Sequence, residues 1–185
     1  MKIRKTSIEG LIEIIPDLYR DSRGFFLETF HIEKYREIGV DRQFVQSNQS
    51  FSTKGVLRGL HMQLPPYQQG KLVSVSKGKV LDVAVDLRKG SSTFGHYESV
   101  VLDSERCNQF YVPEGFAHGF VALEESVFSY QCTNVYDKAS EAGIIWDDAD
   151  LAIDWELEKY DIQEPIISDK DLALPRLSEY QKQYT

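Results

Sequence analysis

Short runs of alternating apolar and polar residues dominate the chain, and turn residues punctuate them. The clearest run is 79–87. Leu81, Val83, Val85 and Leu87 share one face, and Asp82 and Asp86 share the other. A second run covers 71–77. Between them, Lys77-Gly78-Lys79 predicts a tight turn that folds the two into a hairpin. Further strands are expected at 8–15, 24–30, 44–52, 56–63, 96–102, 108–112, 116–123 and 126–136. Helical periodicity is scarce. Residues 32–38 predict one short helix, ended by Gly39. The acidic stretch 147–160 predicts carboxylates that cap turns, with short helical turns before Trp155, and its spacing does not fit a calcium loop. The last stretch, with Pro165 and Pro175, is expected to pack on the sheets as a tail rather than join them. Many short strands at near-regular spacing, with no internal repeat, predict an all-β sandwich or barrel in a single domain over 1–185.

Composition narrows this picture. The chain has 185 residues, 42% hydrophobic and 27% charged, which suits a soluble globular protein with a sizeable core. Lys and Arg number 21 against 29 Asp and Glu, for a net charge of −8, which argues against nucleic acid as a partner. Any anion must be held by a few local Arg and Lys side chains. The two cysteines, Cys107 and Cys132, are too few for a disulfide framework and are expected to be buried thiols. The basic start, Met1-Lys2-Ile3-Arg4-Lys5, is interrupted by Glu9, Gly10 and Glu13 before any apolar stretch forms. No apolar run has the length of a membrane span, so a cytoplasmic protein without membrane contact is expected.

Several stretches carry candidate chemistry. Arg58, His61 and Lys71 fall close together among glycines and strand edges. Histidine suits a general base, lysine a stabiliser of a developing oxyanion, and arginine a bidentate holder of phosphate. Strict alternation places Arg58 and His61 on opposite faces. A single pocket would therefore need a bulge, and Gly59 is the natural place for it. In Pro113-Glu114-Gly115-Phe116-Ala117-His118, the histidine begins a strand and suits a metal ligand, a ligand donor or a structural bridge alike. Tyr130, Cys132, Asn134 and Tyr136 would share a strand face that is too polar for a plain core. Gln46 and Asn48 share another. Ser168-Asp169-Lys170-Asp171 is, on its own, a charge cluster.

Taken together, these stretches resemble the dTDP-4-dehydrorhamnose 3,5-epimerase family. The likeness runs through Asp21-Ser22-Arg23-Gly24-Phe25-Phe26, Phe44-Val45-Gln46-Ser47-Asn48, Gly55 to His61, Gln69-Gly70-Lys71, Pro113 to Phe120, Tyr130 with Thr133-Asn134 and Tyr136, Ser140-Glu141, and Ser168 to Asp171. The resemblance implies a cupin-type β-barrel, or jelly roll, and a homodimer. It implies a dTDP-linked 4-keto-6-deoxyhexose as substrate, with His61 as base, Asp171 orienting it, Lys71 holding the enolate oxygen and Tyr130 returning a proton. Arg23, Phe26, Glu28, Gln46, Asn48, Arg58, Lys71, His118, Tyr136, Glu141 and Lys170 would bind substrate, with Arg23 and its neighbours reaching the partner's site. No cofactor is implied. No metal is implied either: Gln63 stands where metal-binding cupins place a second histidine. The alternatives are an epimerase of one centre only, a non-catalytic sugar-nucleotide-binding cupin, and a metal-dependent oxygenase, which Gln63 disfavours.

Overall fold

A computed structural model describes residues 1–184. In chain order it places β1 (Lys2–Lys5), β2 (Ile12–Ile15), β3 (Tyr19–Asp21), β4 (Gly24–Phe26), α1 (Ile32–Glu37), β5 (Gln46–Ser52), β6 (Leu57–Gln63), β7 (Lys71–Lys77), β8 (Lys79–Asp86), β9 (Tyr97–Asp103), β10 (Gln109–Val112), β11 (Phe116–Ala122), β12 (Ser126–Cys132), β13 (Glu141–Gly143), α2 (Asp169–Leu172) and α3 (Leu177–Tyr184). The strands form two larger antiparallel sheets. One has the order β1-β2-β10-β7-β12-β5, the other β13-β6-β11-β8-β9, and β3 and β4 form a separate hairpin. The architecture is the expected all-β jelly roll with a few short helices.

The sheets stack through an apolar layer. Val73, Val75, Phe110 and Phe128 come from the first sheet, and Val80, Ala84, Val100, Phe116 and Phe120 from the second. The outer faces are covered as well. Residues around α1, including Phe30, Tyr35, Val40 and Phe44, pack on Ile12, Ile14, Leu72 and Tyr111. The C-terminal arm lays Trp155, Ile162, Leu177 and Tyr180 over Leu57, Leu81, Val83 and Val85. Both faces of β8 are therefore buried. Its more hydrophobic face lies under the arm, and the face carrying Asp82 looks into the roll.

Residues 71–77 and 79–86 do not form the expected hairpin. β7 pairs with β10 and β12, whereas β8 pairs with β11 and β9. Gly78 is a corner at which the chain changes sheets. It has φ +76°, and a Cβ there would lie 2.1 Å from the Glu125 carbonyl oxygen. Only glycine admits that approach. The helix at 32–38 is present one residue shorter, and Gly39 follows it at φ +99°. The helical turn expected before Trp155 instead follows it, as a 3₁₀ turn at Glu158–Tyr160. The Asp148 and Asp154 carboxylates do cap turns, accepting from the backbone N–H groups of Asp150, Leu151 and Glu156. The tail packs as expected, save that Ile166 joins Val56 in a single parallel bridge. Cys132 is buried, but Cys107 is only half-buried.

At the end of β8, Asp86 ties the following loop to the roll. Its buried carboxylate accepts from Arg88 Nε (2.9 Å) and Nη2 (2.7 Å), Ser91 Oγ (2.6 Å) and Thr93 Oγ1 (2.6 Å). Burial alone would raise its pKa. These hydrogen bonds outweigh burial and bring it down to about 2. The gap from an ordinary value of about 3.9 corresponds to roughly 2–3 kcal/mol of stability. That contribution is complete above the unfolded pKa and is lost as pH falls towards the folded one. Asp86→Asn is therefore expected to lower the melting temperature at pH 7 by about 4–8 °C. The gap to wild type should close as pH falls from about 5 to about 2. Calorimetry across that range checks this, and a pH-independent gap would refute it.

Candidate active site

β6 pairs with β11 through a bulge. His61 lies opposite His118, but Arg58 lies opposite Phe120, so β6 uses three steps where β11 uses two. The extra residue falls at Gly59-Leu60, with Gly59 at φ +111°. The shift turns Arg58 to the same side as His61, and both line one cavity of about 330 Å³ with Lys71, His118, Tyr130, Lys170 and Asp171. A second cavity of about 280 Å³ is walled by Gln46, Asn48, Tyr136 and Glu141 and shares His61, Lys71 and Tyr130 with the first. Volumes of this order suit a small-molecule ligand.

Asp171 reaches this place on the C-terminal arm. Leu57 N–H donates to the Ile166 carbonyl (2.9 Å) and Ile166 N–H to that of Gly55 (2.8 Å), docking the arm beside β6. Ser168 then caps α2, accepting from the Asp171 N–H at 3.2 Å. The Asp171 carboxylate accepts from Gly59 N–H at 3.1 Å and sits 2.7 Å from His61 Nε2. Burial would raise the Asp171 pKa, but the hydrogen bonds from His61, Gly59 and the Ser168 cap outweigh it and hold it below the usual value. An ionised carboxylate only accepts, so the proton of the neutral imidazole lies on Nε2 and its basic lone pair on Nδ1.

The opposite sheet supplies a phenol and an amine. Tyr130, on β12 beside Asn48 of β5 and Val73 of β7, has its pKa raised by burial and by the neighbouring Cys132. Its phenol therefore keeps its proton at neutral pH. Lys71, at the start of β7, is pushed down by desolvation, with Cys132 and Asp82 acting against that. Gln46 is held in place by donating to Asn48 Oδ1 (3.1 Å) and accepting from Tyr136 N–H (2.8 Å), and the latter bond brings Tyr136 to the cavity. Lys170 donates to both Glu141 carboxylate oxygens, at 2.7 and 2.8 Å. Gln63 spends its amide on the backbone of Tyr67, Val135 and Asp137.

Three of the sequence candidates lie elsewhere. Arg23, Phe26 and Glu28 belong to or follow the β3–β4 hairpin, where the Arg23 side chain is 87% exposed and bound to Asp21, and Phe26 is 68% exposed. Glu28 pairs with Lys34. None of the three lines the His61 cavities of its own chain. The strand carrying Tyr130 ends at Cys132, so Asn134 and Tyr136 are loop residues and not a continuation of its face. Sequence reasoning missed Phe120 and Phe128, stacked at 4.2 Å in the cavity wall, and Asp82 behind His118. The signal for Asp82 was visible: a carboxylate flanked by Leu81 and Val83 within an apolar run.

The chain matches the family model described as dTDP-4-dehydrorhamnose 3,5-epimerase over residues 5–179. A dTDP-4-dehydrorhamnose 3,5-epimerase of Methanothermobacter thermautotrophicus is 51% identical over 168 residues, covering 90% of this chain and 89% of that one. A crystal structure of dTDP-6-deoxy-D-glucose-3,5-epimerase from Legionella pneumophila in complex with dTDP-4-keto-L-rhamnose superposes with a TM-score of 0.90, at 47% identity, covering 96% and 93% of the two chains. A 3′-monoepimerase from Streptomyces bikiniensis in complex with dTDP-quinovose is similar at 36% identity and a TM-score of 0.87, covering 96% and 89%.

Proposed function

Because the chain belongs to the dTDP-4-dehydrorhamnose 3,5-epimerase family, we propose that it inverts C3 and C5 of dTDP-4-dehydro-6-deoxy-D-glucose to give dTDP-4-dehydro-L-rhamnose. The observation that supports this reading is that one pocket is flanked by an imidazole–carboxylate pair, His61–Asp171 at 2.7 Å, on one sheet and the Tyr130 phenol on the other, groups that suit a base and an acid.

The 4-keto group acidifies the hydrogens on both flanking carbons. In the gluco chair these two hydrogens are axial on the same ring face, so one base serves both centres. His61 Nδ1 takes the proton, and Asp171 stabilises the imidazolium that forms. The electron pair moves to the C4 oxygen, where Lys71 donates a hydrogen bond. Tyr130 delivers a proton to the opposite face of the same carbon, which inverts it. Solvent then takes the proton from His61 and restores that of Tyr130. The substrate supplies its own electron sink, so the steps need no redox cofactor. Gln46, Asn48, Arg58, His118, Tyr136, Glu141 and Lys170 bind the sugar nucleotide, with Arg58 and Lys170 supplying local positive charge in an acidic protein. Arg23, Phe26 and Glu28, unused within their own chain, complete the site of a second copy in a homodimer. Among the described residues no helix is long and apolar enough to cross a membrane. A cytoplasmic place accords with this chemistry.

Proton exchange in D₂O, followed by NMR, tests the reading. Wild type should place deuterium at both C3 and C5. Tyr130→Phe should still exchange while forming inverted product about 100-fold more slowly. Deuterium at one carbon only would establish a single-centre epimerase, and exchange at neither would defeat the reading.

A further inference from the structure

The interior of the roll holds a second histidine–carboxylate pair. His118 Nε2 lies 2.9 Å from both oxygens of Asp82, which is fully buried on β8. His118 stands directly across from His61 in the β11–β6 register, so each of two neighbouring imidazoles has its own carboxylate. The mechanism above needs only one base for both centres. The second pair is therefore free for another task. The Asp82 carboxylate makes no other hydrogen bond among the described residues, and the Lys71 side chain, from the opposite sheet, has no hydrogen-bond or ion-pair partner among them. A buried carboxylate with one hydrogen bond is costly to keep, and so is the half-buried Lys71 ammonium without a counter-charge.

Building on that reading, we propose that Asp82 is a positioning residue for the end of the pocket that binds the enolate oxygen: it fixes His118 with its proton on Nε2, and it supplies the counter-charge that keeps Lys71 an ammonium. The equal distances to the two Asp82 oxygens suit a carboxylate accepting from one N–H. Held this way, His118 offers Nδ1 as an acceptor for a sugar hydroxyl, while Lys71 is the donor that meets the developing charge. Desolvation depresses Lys71, and Asp82 is among the groups that act against it. The other groups facing Lys71 are Cys132 and Tyr130 from β12, His118 from β11, Arg58 and His61 from β6, Lys170 and Asp171 from α2, and Tyr136 and Glu141 across the second cavity. The carboxylates among these are Asp171, engaged by His61 and Gly59, and Glu141, engaged by Lys170.

Asp82→Asn keeps an acceptor for His118 and removes the charge. It is expected to lower kcat by about 10–100-fold with KM changed by less than about threefold. The alkaline limb of the kcat–pH profile should move down by about one pH unit. Asp82→Glu, which retains the charge, should keep the wild-type limb. A lysine titration by ¹³C NMR, with the Lys71 signal identified by its loss in Lys71→Arg, should show Lys71 charged at pH 7 in wild type and titrating about tenfold more acidic in Asp82→Asn. A purely structural role would reduce activity without moving the limb. An unmoved limb and titration in a folded Asp82→Asn overturns the proposal. So does a neutral Lys71 at pH 7 in wild type, a measurement that needs no variant to fold. The titration uses no substrate, so its outcome is separate from that of the exchange experiment on which the epimerase reading depends.

Discussion

Replacing His61 by Asn is expected to lower epimerisation by about 10³-fold or more and to abolish deuterium exchange at both carbons. The expectation follows from the division of labour across the pocket. Every other group near the acidic hydrogens is a donor or is already committed. Tyr130 is held protonated by burial, and Asp171 gives its two oxygens to His61 and Gly59. The other imidazole, His118, spends Nδ1 on a sugar hydroxyl in the proposed arrangement and so does not replace His61. The His61 side chain is 36% exposed, so its loss opens no core cavity, and the protein should remain folded. Asp171→Asn should cost about 10²–10⁴-fold, because an amide that turns its NH₂ toward Nε2 forces the imidazole proton onto Nδ1, the nitrogen that must be free. The double variant should be little worse than either alone, since the two act as one unit. Rates from NMR of the inverted sugar, with circular dichroism as a control for folding, decide the matter. His61→Asn exchanging at the wild-type rate would remove His61 from the mechanism.

Most strands and an all-β sandwich or barrel were legible because alternation and turn glycines act locally, whereas the roll itself and the membership of the pocket came from the family resemblance. The conflict between Arg58 and His61 was legible too: two useful side chains on opposite faces demanded a bulge, and the bulge lies at Gly59. Other features depend on what the rest of the chain covers. The run 79–87 shows two faces but not which one looks inward. An alternating strand ordinarily turns its apolar side to the core. Here the arm covers that side, and the inner one places Asp82 behind His118. The corner at Gly78 has the residue type of a hairpin turn, and only the tertiary pairing of its flanking strands separates the two outcomes. The His61–Asp171 contact spans 110 residues and is made by an arm that two backbone hydrogen bonds hold in register beside β6. Backbone bonding leaves no mark on residue identity, so resemblance pointed to that contact where periodicity could not. Arg23, Phe26 and Glu28 pose the converse case: their residue types suit the site, but their own chain does not bring them there.

Gly59→Ala should be among the most destabilising single-methyl changes in the protein. A Cβ at Gly59 would lie 2.6 Å from Gly119 Cα and 2.7 Å from the His118 carbonyl oxygen. Both are backbone atoms of a central strand, so no side chain can swing aside, and β6 and β11 must part. The φ of +111° adds a conformational penalty for any residue with a Cβ. Overpacking and backbone strain together come to about 3–5 kcal/mol, or roughly 6–20 °C in melting temperature at this chain length. Gly90→Ala provides the control: φ there is +77° with nothing within 4 Å, so only the conformational part applies, about 1 kcal/mol. The functional consequence follows from the same atoms. Gly59 N–H holds the Asp171 carboxylate, and His118 lies across the gap that would open. Activity per folded molecule should therefore fall in Gly59→Ala and stay at the wild-type level in Gly90→Ala. Equal losses of stability in the two variants would show that β6 and β11 can separate freely. The bulge would then be an accommodation of the strand and not the feature that sets His61 against Asp171.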